Sequence, residues 1–408
     1  MSALTRPSSQ PKSANSETAR DINRSLVLNA IRSNQPVSRA DLARQTGLQR
    51  STVSLIVEQL MKERWVVERG VGQLPRGRKP LLLTLNTEKA AIIGINVMPR
   101  TTKMVLADLN ISLHSEESFA TTKDPQEMIA VLANRIRRMT ETHPGMAFEA
   151  IGVSLPGRVD RFTARLVFAP NLGWRDVDLR TPLESATGLP VFVENAANAC
   201  ALSEVWSGPF AGVKDLVAVT VSEGIGTGII ANGQLVRGPS GAAGEFGHIC
   251  LDPDGPVCKC GSRGCWEVYA SNSAAVRDYN HGMQAHSKSS GCRRRPQSYA
   301  SVRDFPDLLS LAERGDVTAG KVLERMGRYM GVGLAMLVIG LAPSVITIVG
   351  EVTRVWDRIG AIVEQAVCER AQTQATTRIV PTDNSMDPRV RGTVALVLQE
   401  HFQPRMLS

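Results

Sequence analysis

The chain of 408 residues is too long for one ordinary core and suits two or three domains at about 100–200 residues each. At 43% hydrophobic and 21% charged residues it reads as globular, not disordered, and no apolar run approaches the roughly 18 residues that span a bilayer. The net charge of +8 is unevenly placed: residues 1–90 carry 15 Lys/Arg against 7 Asp/Glu, whereas the remaining 318 carry 32 of each. A neutral body with a basic head implies a polyanion-binding module fused to a part with a different task.

Met1–Ser16 is rich in Ser and Pro without the apolar core of a secretory signal, and residues 1–20 read as a mobile tail. Ile22, Leu26, Leu28 and Ile31 then recur at helical spacing, which predicts a first helix over Asp21–Ser33. Ser38 with Asp41 three residues on marks a second helix start, Leu42 and Ala43 supply its buried side, and Gly47 allows the turn that ends it. A third helix, Ser51–Glu63, carries Val53, Ile56, Val57 and Leu60 as its apolar stripe. Two short helices joined by a glycine-containing turn form a helix-turn-helix. Gln49, Arg50, Ser51, Thr52 and Ser54 at the start of the second of these, with Arg39 on the first, are the candidate DNA contacts. Trp65–Glu68 and Pro80–Leu85 read as paired strands, so the Gly- and Arg-rich stretch 69–79 becomes a wing. Its Arg76, Arg78 and Lys79 suit phosphate or minor-groove contact, so 21–88 is expected to be a winged helix-turn-helix that takes double-stranded operator DNA, the alternative being a trihelical interaction domain with a solvated basic face.

From Ala91 short apolar strands alternate with helices, an α/β pattern. Ile92–Val97 and Thr102–Leu109 read as a hairpin. Glu149–Ser154, Leu189–Val193 and Leu216–Val221 read as strands, and Val332–Val345 as a buried helix leading into another. Gly224, Gly226 and Gly228 after a strand suit either a phosphate cradle or a tight hairpin. His248, then Cys258, Cys260 and Cys265 with Gly261 and Gly264 between them, match a closed tetrahedral site for structural zinc. Cys200, Cys250, Cys292 and Cys368 read as ordinary thiols of a reducing, cytoplasmic compartment. The basic stretch His281–Ser298 lacks an apolar pattern and reads as a mobile loop.

Glu245-Phe246-Gly247-His248, nine residues, then Cys-x-Cys-Gly-x-x-Gly-Cys-Trp266-Glu267 resembles the ROK family of repressors, open reading frames and sugar kinases. Leu155-Pro156-Gly157, Pro170–Trp174, Glu194–Asn198 and Ser240–Glu245 stand in the family's order, from about Ala91 onward. The resemblance implies an actin/hexokinase-like two-lobed body of the α/β class. Its first lobe is 91–198, joined by a C-terminal helix at 388–408, and its second lobe, 199–387, carries the zinc site. Carried over residue by residue, the sugar contacts are Gly157, Asn171, Asn195, Glu245, His248 and Glu267. His248 is then expected to serve twice, one ring nitrogen on zinc and the other toward a sugar hydroxyl.

Two departures from the family's kinases bear on catalysis. Ala196 stands where they carry the Asp that takes the proton from the attacking hydroxyl. Asn96-Val97-Met98-Pro99-Arg100 replaces their Asp-x-Gly-Gly-Thr phosphate loop. The expectation is a cytoplasmic, non-enzymatic transcriptional repressor of sugar-utilisation genes, a homodimer or homotetramer with no membrane partner, modulated by a sugar or sugar phosphate. A constitutive regulator that uses the body only to oligomerise, and a bifunctional kinase, are the alternatives.

Overall fold

The computed structural model describes residues 16–71, 80–160, 162–289, 301–371, 376–383, 385 and 387–402. The head comprises α1 (Ser16–Asn34), β1 (Val37–Ser38), α2 (Arg39–Thr46), α3 (Arg50–Lys62), β2 (Val66–Val71) and β3 (Leu81–Leu85), with strand order β1-β3-β2. A complete capping box starts α2: the Ser38 side chain accepts from the Asp41 N–H, and Asp41 accepts in return from the Ser38 backbone. Gly47 ends that helix at φ 72°, a conformation that a β-carbon disfavours. Val53, Ile56, Val57 and Leu60 of α3 are buried as the pattern requires.

Three expectations for this part of the chain need correction. The first helix begins at Ser16, so residues 16–20 belong to it and not to a tail. Leu28 and Ile31 are buried as expected, but Ile22 and Leu26 are exposed, and Ser25 and Val27 complete the buried face, because that is the side of α1 that meets the other head elements and α12. β2 runs on through a bulge to Val71, and the wing residues Arg76, Arg78 and Lys79 lie outside the described residues.

The body holds β4 (Ala90–Val97), β5 (Thr101–Asp108), β6 (Leu113–Ala120), α4 (Pro125–Thr142), β7 (Ala147–Leu155), a small sheet of β8 (Arg158–Val159), β9 (Leu166–Ala169) and β10 (Trp174–Val177), then α5 (Arg180–Thr187), β11 (Val191–Asn195) and α6 (Ala196–Trp206). There follow β12 (Leu216–Val221), β13 (Ile225–Ala231), β14 (Gln234–Leu235), α7 (Glu267–Ala270), α8 (Asn272–Ser289), α9 (Phe305–Glu313), α10 (Val317–Leu341), β15 (Val345–Val349), α11 (Trp356–Ala371), β16 (Arg378–Pro381) and α12 (Pro388–Phe402). Contrary to the loop expected at 281–298, residues 281–289 continue α8, and the remainder of that stretch lies outside the described residues.

Two five-stranded sheets, β11-β7-β4-β5-β6 and β14-β13-β12-β15-β16, repeat one topology. In each, the earliest strand is central, the next two pair antiparallel on one side, and the last two add in parallel on the other. Every residue of β4, β12 and β15 is buried, as strands covered on both faces demand. β6, at an edge, alternates exposed and half-buried positions.

The last helix, α12, lies against the first sheet and α6. Gly94 and Gly152 on adjacent strands leave the room that Thr393 fills, and Gly392 meets the Ala199 carbonyl; a β-carbon at any of the three would overlap its neighbour. At its far end α12 meets the head. Trp65 packs on His401 (ring centroids 4.7 Å) and edge-on to Phe402 (5.9 Å). Asn29 Nδ2 donates to the Phe402 carbonyl at 2.8 Å, and Arg32 lies 4.4 Å over the Trp206 ring while donating to that residue's carbonyl. One continuous apolar core, from Leu28 and Leu83 through Phe402 to Leu216, joins head and body.

Candidate functional site

On the head, the turn at Gly47 and Leu48 sets α3 across α2 with its first residues outward. Gln49, Arg50 and Ser51 are exposed, while Thr52 and Ser54 are half-buried. Arg39 is held by the body of the head: its guanidinium bonds Glu68 at 3.0 Å and lies 3.6 Å from Glu58. It ties α2 to α3 and β2 instead of reaching freely into solvent.

Between the two sheets lies a cavity of about 650 Å³. All six of the sugar contacts expected from the resemblance, Gly157, Asn171, Asn195, Glu245, His248 and Glu267, line it, although they span 111 positions of sequence. Asn195 ends β11 and caps α6, its Oδ1 accepting from the Ala197 N–H at 2.7 Å, while its Nδ2 donates to the Gly157 carbonyl at 2.7 Å. Those bonds lock the amide and leave one N–H for a ligand. Asn171 Oδ1 accepts from Lys259 Nζ at 3.0 Å. Burial holds the Glu245 carboxyl above the usual carboxylate range, with Glu267 adding to the effect and His248 and Arg158 opposing it.

His248 divides its ring between two neighbours. Nδ1 faces Cys258 Sγ at 3.6 Å, and Nε2 faces Glu245 at 3.8 Å on the cavity side. Cys260 and Cys265 bring their sulfurs to 3.7 Å. The local chain dictates this: Gly261, at φ 94°, lets its N–H bond the Cys258 carbonyl while the Cys258 N–H bonds Ser262, closing a knuckle. The ligand atoms of His248, Cys258, Cys260 and Cys265 all lie within 4.8 Å of one another, a group able to hold a metal ion. Lys259, carried between two of the cysteines, and Glu267, whose Oε1 accepts from the Cys258 thiol at 3.0 Å, link this knuckle to the cavity.

The glycine cluster after β12 is a tight hairpin. The Ser222 N–H bonds the Gly224 carbonyl, Ile225 donates to Glu267 Oε2, and Gly228 is small because the Ala197 carbonyl packs on it. Across the cavity, the turn replacing the kinase phosphate loop is closed on itself. The Met98 N–H bonds the Thr101 carbonyl, Pro99 has no N–H, and the Thr121 hydroxyl donates to the Met98 carbonyl. Buried Asn96 accepts from Ser154 at 3.0 Å, so its amide oxygen ties β4 to β7. Ala196 lines the cavity at the first position of α6.

Sequence reasoning missed several neighbours of the site. Arg158, Lys259 and Arg389 all line the cavity, yet no motif marks them. Arg237 pairs with Glu194 at 2.7 Å and also donates to Gln399 on α12 at 3.2 Å, joining three distant segments behind Asn195. Only the fold brings these together.

A winged helix-turn-helix docked on a duplicated α/β body, with a polar cleft between its sheets, defines a DNA-binding regulator built on a kinase-type fold. Residues 92–400 match the model of the ROK family, and residues 20–67 match that of a winged helix-turn-helix DNA-binding domain. The chain belongs to the ROK family. It is 33% identical over 388 residues to the xylose repressor of Bacillus spizizenii, covering 93% of this chain and 96% of that protein. The fold superposes on a crystal structure of a ROK family transcriptional regulator, a homologue of the E. coli MLC protein, with a TM-score of 0.81, 25% identity, and coverage of 94% and 98%. A ROK glucokinase from Streptomyces griseus, solved with glucose and AMPPNP, is 28% identical with a TM-score of 0.66; it covers 74% of this chain and 98% of itself.

Proposed function

We propose that this protein is a sugar-responsive transcriptional repressor whose cleft binds a sugar without phosphorylating it. The observation that carries the reading is the convergence of six sugar-type ligands in one cavity where Ala196 and a self-bonded turn stand in place of a base and a phosphate cradle. The polar groups suit vicinal hydroxyls: carboxylates accept, the Lys259 ammonium donates, and the amides do both. Phosphoryl transfer needs a positioned base and groups that neutralise the phosphates, and this cleft supplies neither at the family's positions.

His248, Cys258, Cys260 and Cys265 would hold zinc. Zinc–sulfur bonds of about 2.3 Å and a zinc–nitrogen bond of about 2.0 Å put tetrahedral edges at about 3.8 Å and about 3.5 Å. The spacings of 3.7 Å and 3.6 Å fit that size. The ion would supply charge neutralisation for thiolates that burial otherwise disfavours, Cys258 and Cys265 both being held above the ordinary thiol range. With Nδ1 engaged by the knuckle, Nε2 is the nitrogen that faces the ligand, and His248 and Glu267 are fixed where a sugar meets them.

Effector control would run through α12. Arg389 near its start lines the cavity, Gln399 joins the Arg237–Glu194 pair, and His401 and Phe402 at its end pack on Trp65 of the head. A sugar that favours one disposition of the sheets shifts this rod, and with it the winged helices that a homodimer presents to two half-sites. Calorimetry against a panel of pentoses, hexoses and their phosphates tests the reading. One sugar should bind the wild type, with affinity reduced at least tenfold in Glu245→Ala and Asn171→Ala. Heat from none of them favours the alternative, a regulator that uses the body as a scaffold alone.

A further inference from the structure

α3 has one apolar residue too many. Its stripe of Val53, Ile56, Val57 and Leu60 is buried to 6% exposure or less, while Leu55 on the opposite face is 68% exposed. Its neighbours on that face are polar: Ser51 one turn before and Glu58 one turn after, both exposed. Nothing among the described residues covers Leu55, and a Leu left in water forgoes the gain that burying it would bring.

The position says what could cover it. α3 is the second helix of the helix-turn-helix, the element that enters a major groove, and its head carries the whole net charge of the chain. Polar groups on such a helix meet base-edge donors, acceptors and phosphates. The one apolar feature on a major-groove edge is the C5-methyl of thymine. Glu58 does not compete for the space, because it turns toward Arg39 at 3.6 Å.

We infer that Leu55 is a specificity residue that packs on a thymine methyl of the operator. The inference rests on the DNA-binding reading above. Ser51 and Leu55 are one helical turn apart, about 5.4 Å, against a base-pair spacing of about 3.4 Å. The thymine therefore lies one or two base pairs from the base or phosphate that Ser51 meets. Covering one methyl group corresponds to a preference of about fourfold for thymine over uracil at that position.

The test begins by selecting tight duplexes from a randomised DNA pool with the full-length protein, then replacing each thymine of the selected duplex with deoxyuridine. Binding is read by fluorescence anisotropy for wild type and Leu55→Ala, with thermal melts to verify that the exposed substitution leaves the fold intact. At one thymine or more, uracil should weaken the wild type about fourfold, and Leu55→Ala should bind both duplexes alike. No thymine with such an effect, or an unchanged thymine-to-uracil ratio in the variant, overturns the assignment. A change of oligomeric mass in Leu55→Ala with the ratio intact overturns it in favour of a protein contact. A pool that enriches no duplex refutes the DNA-binding reading itself and the inference with it.

Discussion

Replacing Phe402 by Ala would open the joint between head and body. The Phe402 ring is wholly buried, set edge-on between Trp65 at 5.9 Å and Trp206 at 5.4 Å, with the Arg32 guanidinium 5.9 Å above it. Truncating a buried Phe costs about 3–5 kcal/mol, of which two edge-to-face pairs account for about 0.5–1.5 kcal/mol each. The Asn29 bond to the Phe402 carbonyl survives, because the backbone is unchanged. Urea unfolding followed by tryptophan fluorescence reads the junction directly, since an indole lies on each side of the ring. The expected result is a loss of about 3–5 kcal/mol, together with a collapse of the sugar effect on DNA affinity from the 5–150-fold typical of coupled sites toward unity. A loss below about 1 kcal/mol, or an intact sugar response, would refute the idea that α12 transmits the signal.

Glu204 offers a pH test. Its carboxyl is 4% exposed, its Oε2 has no hydrogen-bond partner among the described residues, and burial pushes its pKa up to about 7. The folded state therefore favours the protonated acid: its contribution is whole below about pH 4.5, declines as pH rises, and is lost above about 7. Glu204→Gln should match the wild type in chemical denaturation near pH 4.5 and exceed it by up to about 3 kcal/mol at pH 8; a constant difference would contradict the assignment. Cys265→Ser should lower the metal content of purified protein from one zinc per chain and reduce the melting temperature. Wild-type protein lacking zinc by elemental analysis would remove the structural-zinc proposal. Ala196→Asp should leave sugar-dependent ATP turnover absent, since the turn at 96–100 still offers no cradle, and measurable turnover would show that only the base had been lost.

Much of this molecule could be read before any coordinates, for reasons that differ by region. The α2 cap, the Gly47 turn and the buried stripe of α3 depend on contacts within a few residues, which pattern and propensity capture. The cysteine knuckle is equally local, and His248 could be added because metal ligation prescribes the missing donor. Ile22 and Leu26 are exposed despite their helical spacing, because spacing alone does not say which side of α1 meets α12 and the sheet. The Arg237–Glu194–Gln399 junction was illegible for a related reason: its members are 43 and 162 positions apart, and only the duplicated sheets bring them together. Gly224–Gly228 was ambiguous in sequence because hairpins and phosphate cradles draw on the same residue, and the backbone bonds of Ser222 and Gly224 decide for the hairpin. Leu55 stands outside the apolar stripe of α3 in the sequence, and only the structure shows that no other element of the described residues covers it.

The most direct measurement is the affinity of the full-length protein for its selected operator, titrated with a sugar that calorimetry has shown to fill the cleft. The expected result is a fall in DNA affinity of fivefold or more at saturating sugar, absent in Glu245→Ala. An operator Kd that stays constant while the sugar saturates the cleft would contradict a ligand-controlled repressor.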